Sequence, residues 1–316
     1  MSIPAMRFTR VTKRYGQLRA LDAVSFDVAA GEMFGLIGPD GAGKTTSIRL
    51  ACGLIASDEG EVRLLGRDPR RERRAVTADV GYLSQRFSLY GDLTIDENIA
   101  FFAQIHGVGG YAATRDRLLE MTQLTAFRSR RADRLSGGMK QKLALACTLV
   151  HAPRVLLLDE PTTGVDPVSR REFWKLLSEF VAGGLTIIMA TPYLDEAERC
   201  GRVALLHDGR LLAIDQPGTL QRSLGVLLEV SVDAPRAPLE LLAAIPGVVD
   251  VQTFGDSAHL RLGALTPAQG SRAVETALSA AGVRLRGIRP VAASLEDVFI
   301  DLIGATNAAR GSEPVK

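Results

Sequence analysis

Residues 38 to 46 read GPDGAGKTT and fit the pattern G-x-x-x-x-G-K-[ST], with Gly38, Gly43, Lys44 and Thr45 at its fixed positions. A loop of the composition Gly38-Pro39-Asp40-Gly41-Ala42-Gly43 lets backbone N–H groups converge on phosphate oxygens, and a helix starting at its end adds positive dipole character. Lys44 is then placed to reach the β- and γ-phosphates, Thr45 to hold Mg²⁺, and Thr46 to continue the wall of the site. Residues 155 to 160 read VLLLDE, an apolar run that ends in two carboxylates. Open α/β sheets place ligand-binding groups at such strand ends. Asp159 suits the Mg²⁺ shell, and Glu160 suits activation of an attacking water. These two motifs point to a P-loop nucleotide hydrolase.

Residues 135 to 141 read LSGGMKQ and open a helical run. The Ser136 hydroxyl and the amides of Gly137 and Gly138 at a helix start make a second anion site. One nucleotide does not need two such sites from one chain, so use in trans is the sensible reading: the loop of one chain caps the γ-phosphate held by another. With this third motif the sequence, over roughly residues 5 to 220, resembles the ATP-binding subunits of ABC transporters. The resemblance implies ATP and Mg²⁺ as ligands. It assigns Tyr15, in KRYG, to stacking on adenine. It assigns Gln85, in GYLSQ, to a loop that touches Mg²⁺ or water beside the membrane subunit, and Asp166, in GVD, to the dimer seam.

The same resemblance exposes two departures. The family usually has a histidine after the Thr of the strand that ends ATPYLDEAE, where it contacts the γ-phosphate; here that position is Pro192. Proline has neither a side-chain donor nor a backbone N–H. Two readings follow: hydrolysis depends on Glu160, Gln85 and Lys44 alone and runs with altered kinetics, or the γ-phosphate sensor has moved and Pro192 merely starts the helix Tyr193 to Arg199. The second departure is Asp40, where the family commonly has Asn. A carboxylate near a triphosphate is repelled unless it points away or pairs, and it is expected to point away.

The elements that position these groups can be read from apolar patterning. Arg7 to Val11, Val24 to Val28 and Met33 to Ile37 read as strands, and Gly43 to about Cys52 as a helix. Val155 to Leu158 and Leu185 to Ala190 are continuous apolar runs of strand length, and Val168 to Val181 has helical spacing. Such strands alternating with helices indicate a parallel sheet covered on both faces. Asp208-Gly209 between two apolar runs from Arg202 to Ile214 predicts a hairpin. After about residue 225 the order reads βαββαβ, which fits a small ferredoxin-like domain, followed by an amphipathic segment, Ser294 to Ile303.

The expected architecture is α/β: a P-loop ABC ATPase domain over residues 1 to 220, with a parallel-sheet core, an antiparallel β subdomain and a helical subdomain at about 86 to 150. A C-terminal α+β accessory domain over 221 to 304 and a disordered tail over 305 to 316 complete it. That C-terminal domain carries no chemical motif; pairing with its copy is the suggested role, and His259 reads as a strand-surface residue.

Composition narrows the function further. Net charge is +2, which gives no global case for nucleic acid. Cys52, Cys147 and Cys200 are far apart and read as buried free thiols. MSIPAMRFTR lacks the apolar core of a secretory leader, and no run approaches ~18 apolar residues, so the expectation is a protein that does not itself span a membrane. The segment from Gln85 to Gly107, and SLEDVFIDLIG at 294 to 304, resemble the multidrug and antibiotic-resistance exporter branch, whose ATPases pair with separate type 2 permeases. The implied protein is an ATPase on the cytoplasmic face of the inner membrane that dimerises around two ATP and drives an integral-membrane permease. A homodimer suffices, since both half-motifs are present, but a hetero-pair stays open. So do a weakly hydrolysing partner of a second ATPase and a soluble regulator without permease. Phe87, Leu89 and Tyr90 are candidates for the permease contact or for packing within the helical subdomain. The arginines Arg67, Arg70, Arg71, Arg73 and Arg74 read as a solvated face.

Overall fold

A computed structural model describes residues 3 to 85, 89 to 233, 238 to 255 and 257 to 311. It divides into two compact units, Met1–Ile214 and Asp215–Lys316.

The first unit begins with β1 (Met6–Tyr15) and β2 (Leu18–Val28), long antiparallel strands in which buried and exposed residues interleave. Apolar patterning marks only part of each strand, because Arg14 and Arg19 lie on exposed stretches of them. β3 (Met33–Ile37) is buried throughout and feeds α1 (Lys44–Ala51). β4 (Glu59–Leu64) pairs with β1, giving a three-stranded antiparallel sheet of order β2-β1-β4. α2 (Arg73–Asp79) and β5 (Val80–Leu83) lead to a helical region of α3 (Ile95–Ile105), α4 (Ala112–Met121) and α5 (Gly137–Leu149). β6 (Val155–Asp159), α6 (Pro167–Ala182), β7 (Thr186–Thr191), α7 (Leu194–Ala197), β8 (Arg202–His207) and β9 (Arg210–Asp215) complete the unit.

Six strands form the central sheet in the order β5-β6-β7-β3-β8-β9. The first four pairings are parallel, and every residue of β3, β6 and β7 is buried, as strands covered on both faces require. At the hairpin, Asp208 and Gly209 take φ of 47° and 72°, the left-handed pair of a type I′ turn. The two sheets of this unit share one core, in which Phe8 stacks on Phe26 at 4.7 Å and Phe26 on Phe34 at 5.7 Å.

The helical region is pinned by polar groups as well as apolar ones. Thr94 caps α3 through a reciprocal pair with Glu97. Asn98, fully buried, accepts from Tyr90 N and donates to the carbonyls of Tyr90, Leu93 and Thr94. It thereby fixes the end of the loop that follows Gln85.

The second unit contains α8 (Pro217–Ser223), β10 (Val226–Val232), α9 (Leu239–Ala243), β11 (Val248–Phe254), β12 (Ser257–Leu262), α10 (Pro267–Ala280), β13 (Leu285–Ala292) and α11 (Leu295–Gly311). Its antiparallel sheet has the order β11-β12-β10-β13, the ferredoxin-like arrangement, over a core that includes Leu228, Val230, Leu260, Val274 and Leu278.

Two expectations are corrected here. The tail is helical from Ala305 to Gly311 as a continuation of α11, whose first turn is capped by Ser294; residues 312 to 316 lie outside the described residues. His259 is a linker rather than a surface residue: its Nδ1 stands 2.8 Å from Oδ1 of Asp297, a buried carboxylate that also accepts from Ser294. The pair ties β12 to α11.

Candidate functional site

The phosphate-binding loop hangs between β3 and α1. Gly41 and Gly43 take φ of 81° and 102°, conformations that side chains resist. Close approach fixes two glycines: a Cβ on Gly38 would lie 2.2 Å from the Leu206 carbonyl oxygen, and one on Gly43 would lie 2.5 Å from that of Ala20. Pro39, Asp40 and Ala42 complete the turn, and Ala42 N donates back to Pro39 O.

Lys44 is only 4% exposed, yet its ammonium is fully supplied with acceptors. It donates to the carbonyls of Gly38 (2.9 Å) and Pro39 (3.0 Å) and stands 3.5 Å from Glu160 Oε1. Asp40 does not point away. Its carboxylate is almost fully solvated and reaches to 4.0 Å from Lys44 Nζ, so pairing with the loop's own cation relieves the repulsion that sequence reasoning foresaw.

β6 delivers Asp159 and Glu160 beside that loop. Thr45 Oγ1 donates to Asp159 Oδ1 at 2.8 Å. Burial holds the Asp159 carboxyl above its usual range, opposed by the Thr45 hydrogen bond and reinforced by the charge of Glu160. Glu160 has φ of 50°, a left-handed conformation that costs a non-glycine residue about 1–2 kcal/mol. Its N–H donates to Ala190 O, which locks that geometry to β7. Its Oε2 accepts from Gln85 Nε2 at 3.1 Å and from Thr163 Oγ1 at 3.4 Å.

Lys44, Thr45, Gln85, Glu160 and Thr163 line one cleft of about 530 Å³ with Tyr15, Leu18, Thr46, Pro192 and Tyr193, and Asp159 adjoins it through its hydrogen bond with Thr45. Tyr15 is 46% exposed at its rim, with the Lys13 ammonium 5.5 Å from the ring centroid. Pro192 does not start a helix. It stands before Tyr193, the N-cap of α7, and its ring is part of the cleft wall.

Ser136, Gly137 and Gly138 do not line this cleft. Ser136 caps α5, accepting from Met139 N, and Ser136 and Gly137 are exposed. Gly138 is buried against Ser169 of α6. Asp166 caps α6 by accepting from Val168 N and Ser169 N. The two halves are nonetheless tied together: Gln141 of α5 donates to Pro161 O, next to Glu160, and Lys142 pairs with Glu172 of α6 at 2.6 Å.

Some site features carried no signal in the sequence. Glu196, fully buried, accepts from Thr162 Oγ1, Thr191 Oγ1 (2.6 Å) and Trp174 Nε1 (3.4 Å), with Arg170 Nε 3.8 Å away. It joins the segment after Glu160, the end of β7 and α6. Of the candidates for a partner contact, Tyr90 is exposed and edge-on to Phe101 at 4.5 Å, Leu89 is half-buried, and Phe87 lies outside the described residues. Arg70, Arg71, Arg73 and Arg74 are exposed as expected. Arg67 is not part of that solvated face, because it bridges to Asp79 at 2.6 Å.

A glycine-rich loop before a buried lysine, a Thr–Asp pair and a strained glutamate at a parallel strand end define a P-loop nucleotide-binding cassette. Comparison with known proteins supplies the family. Residues 21–163 match the family model described as ABC transporter. The chain is 37% identical over 306 residues to the daunorubicin resistance ATP-binding protein DrrA2 of Streptomyces coeruleorubidus, covering 95% of each chain. It is 42% identical over 287 residues to the probable multidrug ABC transporter ATP-binding protein YbhF of Escherichia coli K12, covering 89% of this chain and 49% of that protein, so it spans about half of YbhF. Among solved structures, an ATP-binding cassette in a dimeric post-hydrolysis state with ADP and Pi matches with a TM-score of 0.60 and 26% identity, over 67% of this chain and 98% of that one. The chain belongs to the ABC transporter family, among its ATP-binding proteins. No helix among the described residues is long and apolar enough to cross a membrane.

Proposed function

We propose that the chain is the ATP-binding and ATP-hydrolysing subunit of an exporter of the multidrug and antibiotic-resistance type. It works as a dimer around two ATP, on the cytoplasmic face of the inner membrane, and drives a separate integral-membrane permease. The names of the relatives, a multidrug transporter component and a daunorubicin resistance protein, support the branch. The observation that carries the reading is the division of the motifs. Lys44, Thr45, Asp159, Glu160 and Gln85 converge on one cleft, whereas Ser136 and Gly137 are exposed outside it. A second copy can therefore bring the serine-headed helix onto a triphosphate held by the first.

In this reading the loop amides and Lys44 hold the β- and γ-phosphates, and Tyr15 at the rim offers its ring to adenine. Asp159 is a buried carboxylate whose charge is answered at one oxygen by a single hydroxyl, which fits a Mg²⁺ site formed by Thr45, Asp159 and Gln85. When bound there, the cation neutralises charge that develops on the phosphoryl oxygens. Glu160, tethered by Gln85 and Thr163, orients the attacking water and takes its proton. ATP binds the closed pair better than the open one and shifts the population by that difference, so closure works on the permease and hydrolysis reopens the pair.

The test is nucleotide binding and phosphate release by the purified full-length chain. Lys44→Ala should weaken ATP binding at least tenfold. Glu160→Gln should still bind ATP while turnover falls by about 10²–10³. ATP binding indifferent to Lys44→Ala would reject the site.

A further inference from the structure

The proposed reaction lacks one part. Pro192 forms the cleft wall at the end of β7 and has no hydrogen to offer a phosphoryl oxygen. The other polar side chains around Glu160 already have partners, and Lys44 has its place in the proposed reaction. Gln85 and Thr163 both donate to Glu160, Thr45 donates to Asp159, and Lys44 is shared between two carbonyls and Glu160. Tyr193, the next residue along, lines the same cleft, and its hydroxyl has no hydrogen-bond partner among the described residues.

Its backbone and its ring are each held by one contact. The backbone N–H of Tyr193 donates to Thr191 Oγ1 at 3.1 Å. The Arg170 guanidinium lies 4.8 Å from the ring centroid, close enough for attraction between cation and ring face. Arg170 is itself anchored 3.8 Å from buried Glu196 and 3.9 Å from Asp195. Glu196 also receives the hydroxyls of Thr191 and Thr162. The platform under Tyr193 is therefore the same buried carboxylate that holds the segment following Glu160.

We propose that the Tyr193 hydroxyl donates the hydrogen bond to the γ-phosphoryl oxygen of ATP that Pro192 cannot supply, with Arg170 and Glu196 as the residues that position the ring. This rests on the ATPase reading above. The phenol keeps its proton throughout: it donates one hydrogen bond, which strengthens as charge develops on the transferring phosphoryl group. The contact exists for ATP and not for ADP, so the side chain also distinguishes the two nucleotides.

The experiment uses full-length chain in complex with its permease. Tyr193→Phe retains the ring and its contact with Arg170 while removing only the hydroxyl. Turnover should fall about a hundredfold, the lower end of the range for loss of one donor to a developing charge. Measured in the Glu160→Gln background, ATP affinity should fall severalfold with ADP affinity unchanged. Adding Pro192→His to Tyr193→Phe should restore most of the turnover, because the imidazole regains a donor at the neighbouring position. Arg170→Met, which frees the ring but keeps its hydroxyl, also strips buried Glu196 of a cation and should lower the melting temperature; its loss of turnover should be smaller than that of Tyr193→Phe and should not add to it in the double variant. The proposal is overturned if Tyr193→Phe matches wild-type turnover, if ATP and ADP affinities fall together, or if Pro192→His rescues nothing. Loss of ATP binding in wild-type protein, or its indifference to Lys44→Ala, would instead indict the ATPase reading itself.

Discussion

Adjacent glycines at the start of α5 have opposite surroundings, and substituting each with alanine separates folding from nucleotide contact. A Cβ on Gly137 meets nothing within 4 Å. The residue is exposed and is the first of the helix. Alanine there introduces no strain and reduces the freedom of the unfolded chain, which stabilises by about 0.4–1 kcal/mol. For a chain of this size that raises the melting temperature by about 1–3 °C. A Cβ on Gly138 would lie 2.3 Å from Ser169 Oγ and 2.6 Å from Ser169 Cβ. Ser169 N is held by the Asp166 cap, so it cannot simply withdraw, and overpacking of this kind costs about 1–3 kcal/mol. Thermal unfolding followed by circular dichroism should therefore show Gly137→Ala at or above wild type and Gly138→Ala several degrees below. ATP turnover should fall at least tenfold in Gly137→Ala despite its intact fold, since in the proposed dimer the added methyl would stand where the helix start meets the phosphate of another copy. Wild-type turnover in a well-folded Gly137→Ala protein would refute the idea that this surface touches nucleotide.

Other features lend themselves to shorter tests. Glu196→Ala strands two threonine hydroxyls and an indole N–H; urea unfolding should show a loss of about 3–5 kcal/mol, against about 1–2 for Glu196→Gln, and a loss below 1 would contradict the hub. His151 stacks on His106 at 3.8 Å, and burial, followed by the neighbouring ring, pushes its pKa down to about 4. The unfolded chain then binds more protons between about pH 6.5 and 4, so stability should fall on acidification through that window, by about 1 kcal/mol from pH 7 to 5 after allowing for solvent access; His151→Phe should flatten that slope, whatever its effect at pH 7. Burial raises the thiols of Cys147 and Cys200, the latter to about 12, so a thiol reagent at pH 8 should label them only after unfolding.

The glycine loop, the strand ends at Ile37 and Asp159, and the helix start at Ser136 were legible because each depends on residue type at fixed local spacing. The charged ends of β1 and β2 were not, since an antiparallel sheet with one face in water tolerates charge on that face and bulges in the β1–β2 pairing break the period-2 alternation. The Glu196 hub was invisible for a different reason. Its partners Thr162, Trp174 and Thr191 come from a loop, a helix and a strand, and a glutamate in LDEAE looks like any solvated helix start. The same holds for His259 and Asp297, which are 38 residues apart in the chain and joined only by the fold. Asp40 was misjudged because the charge that answers it, Lys44, was assigned wholly to phosphate. Long-range polar pairs leave no periodicity in a sequence, whereas loops that wrap phosphates do.

The central claim is that one triphosphate is gripped between the Lys44 loop of one copy and the Ser136 helix of another. Sedimentation velocity of Glu160→Gln protein with saturating ATP measures this most directly. The account predicts a dimer that dissociates when Ser136→Arg is added, while ATP remains bound through Lys44. A protein that stays monomeric with ATP bound, or a dimer unaffected by Ser136→Arg, would contradict it.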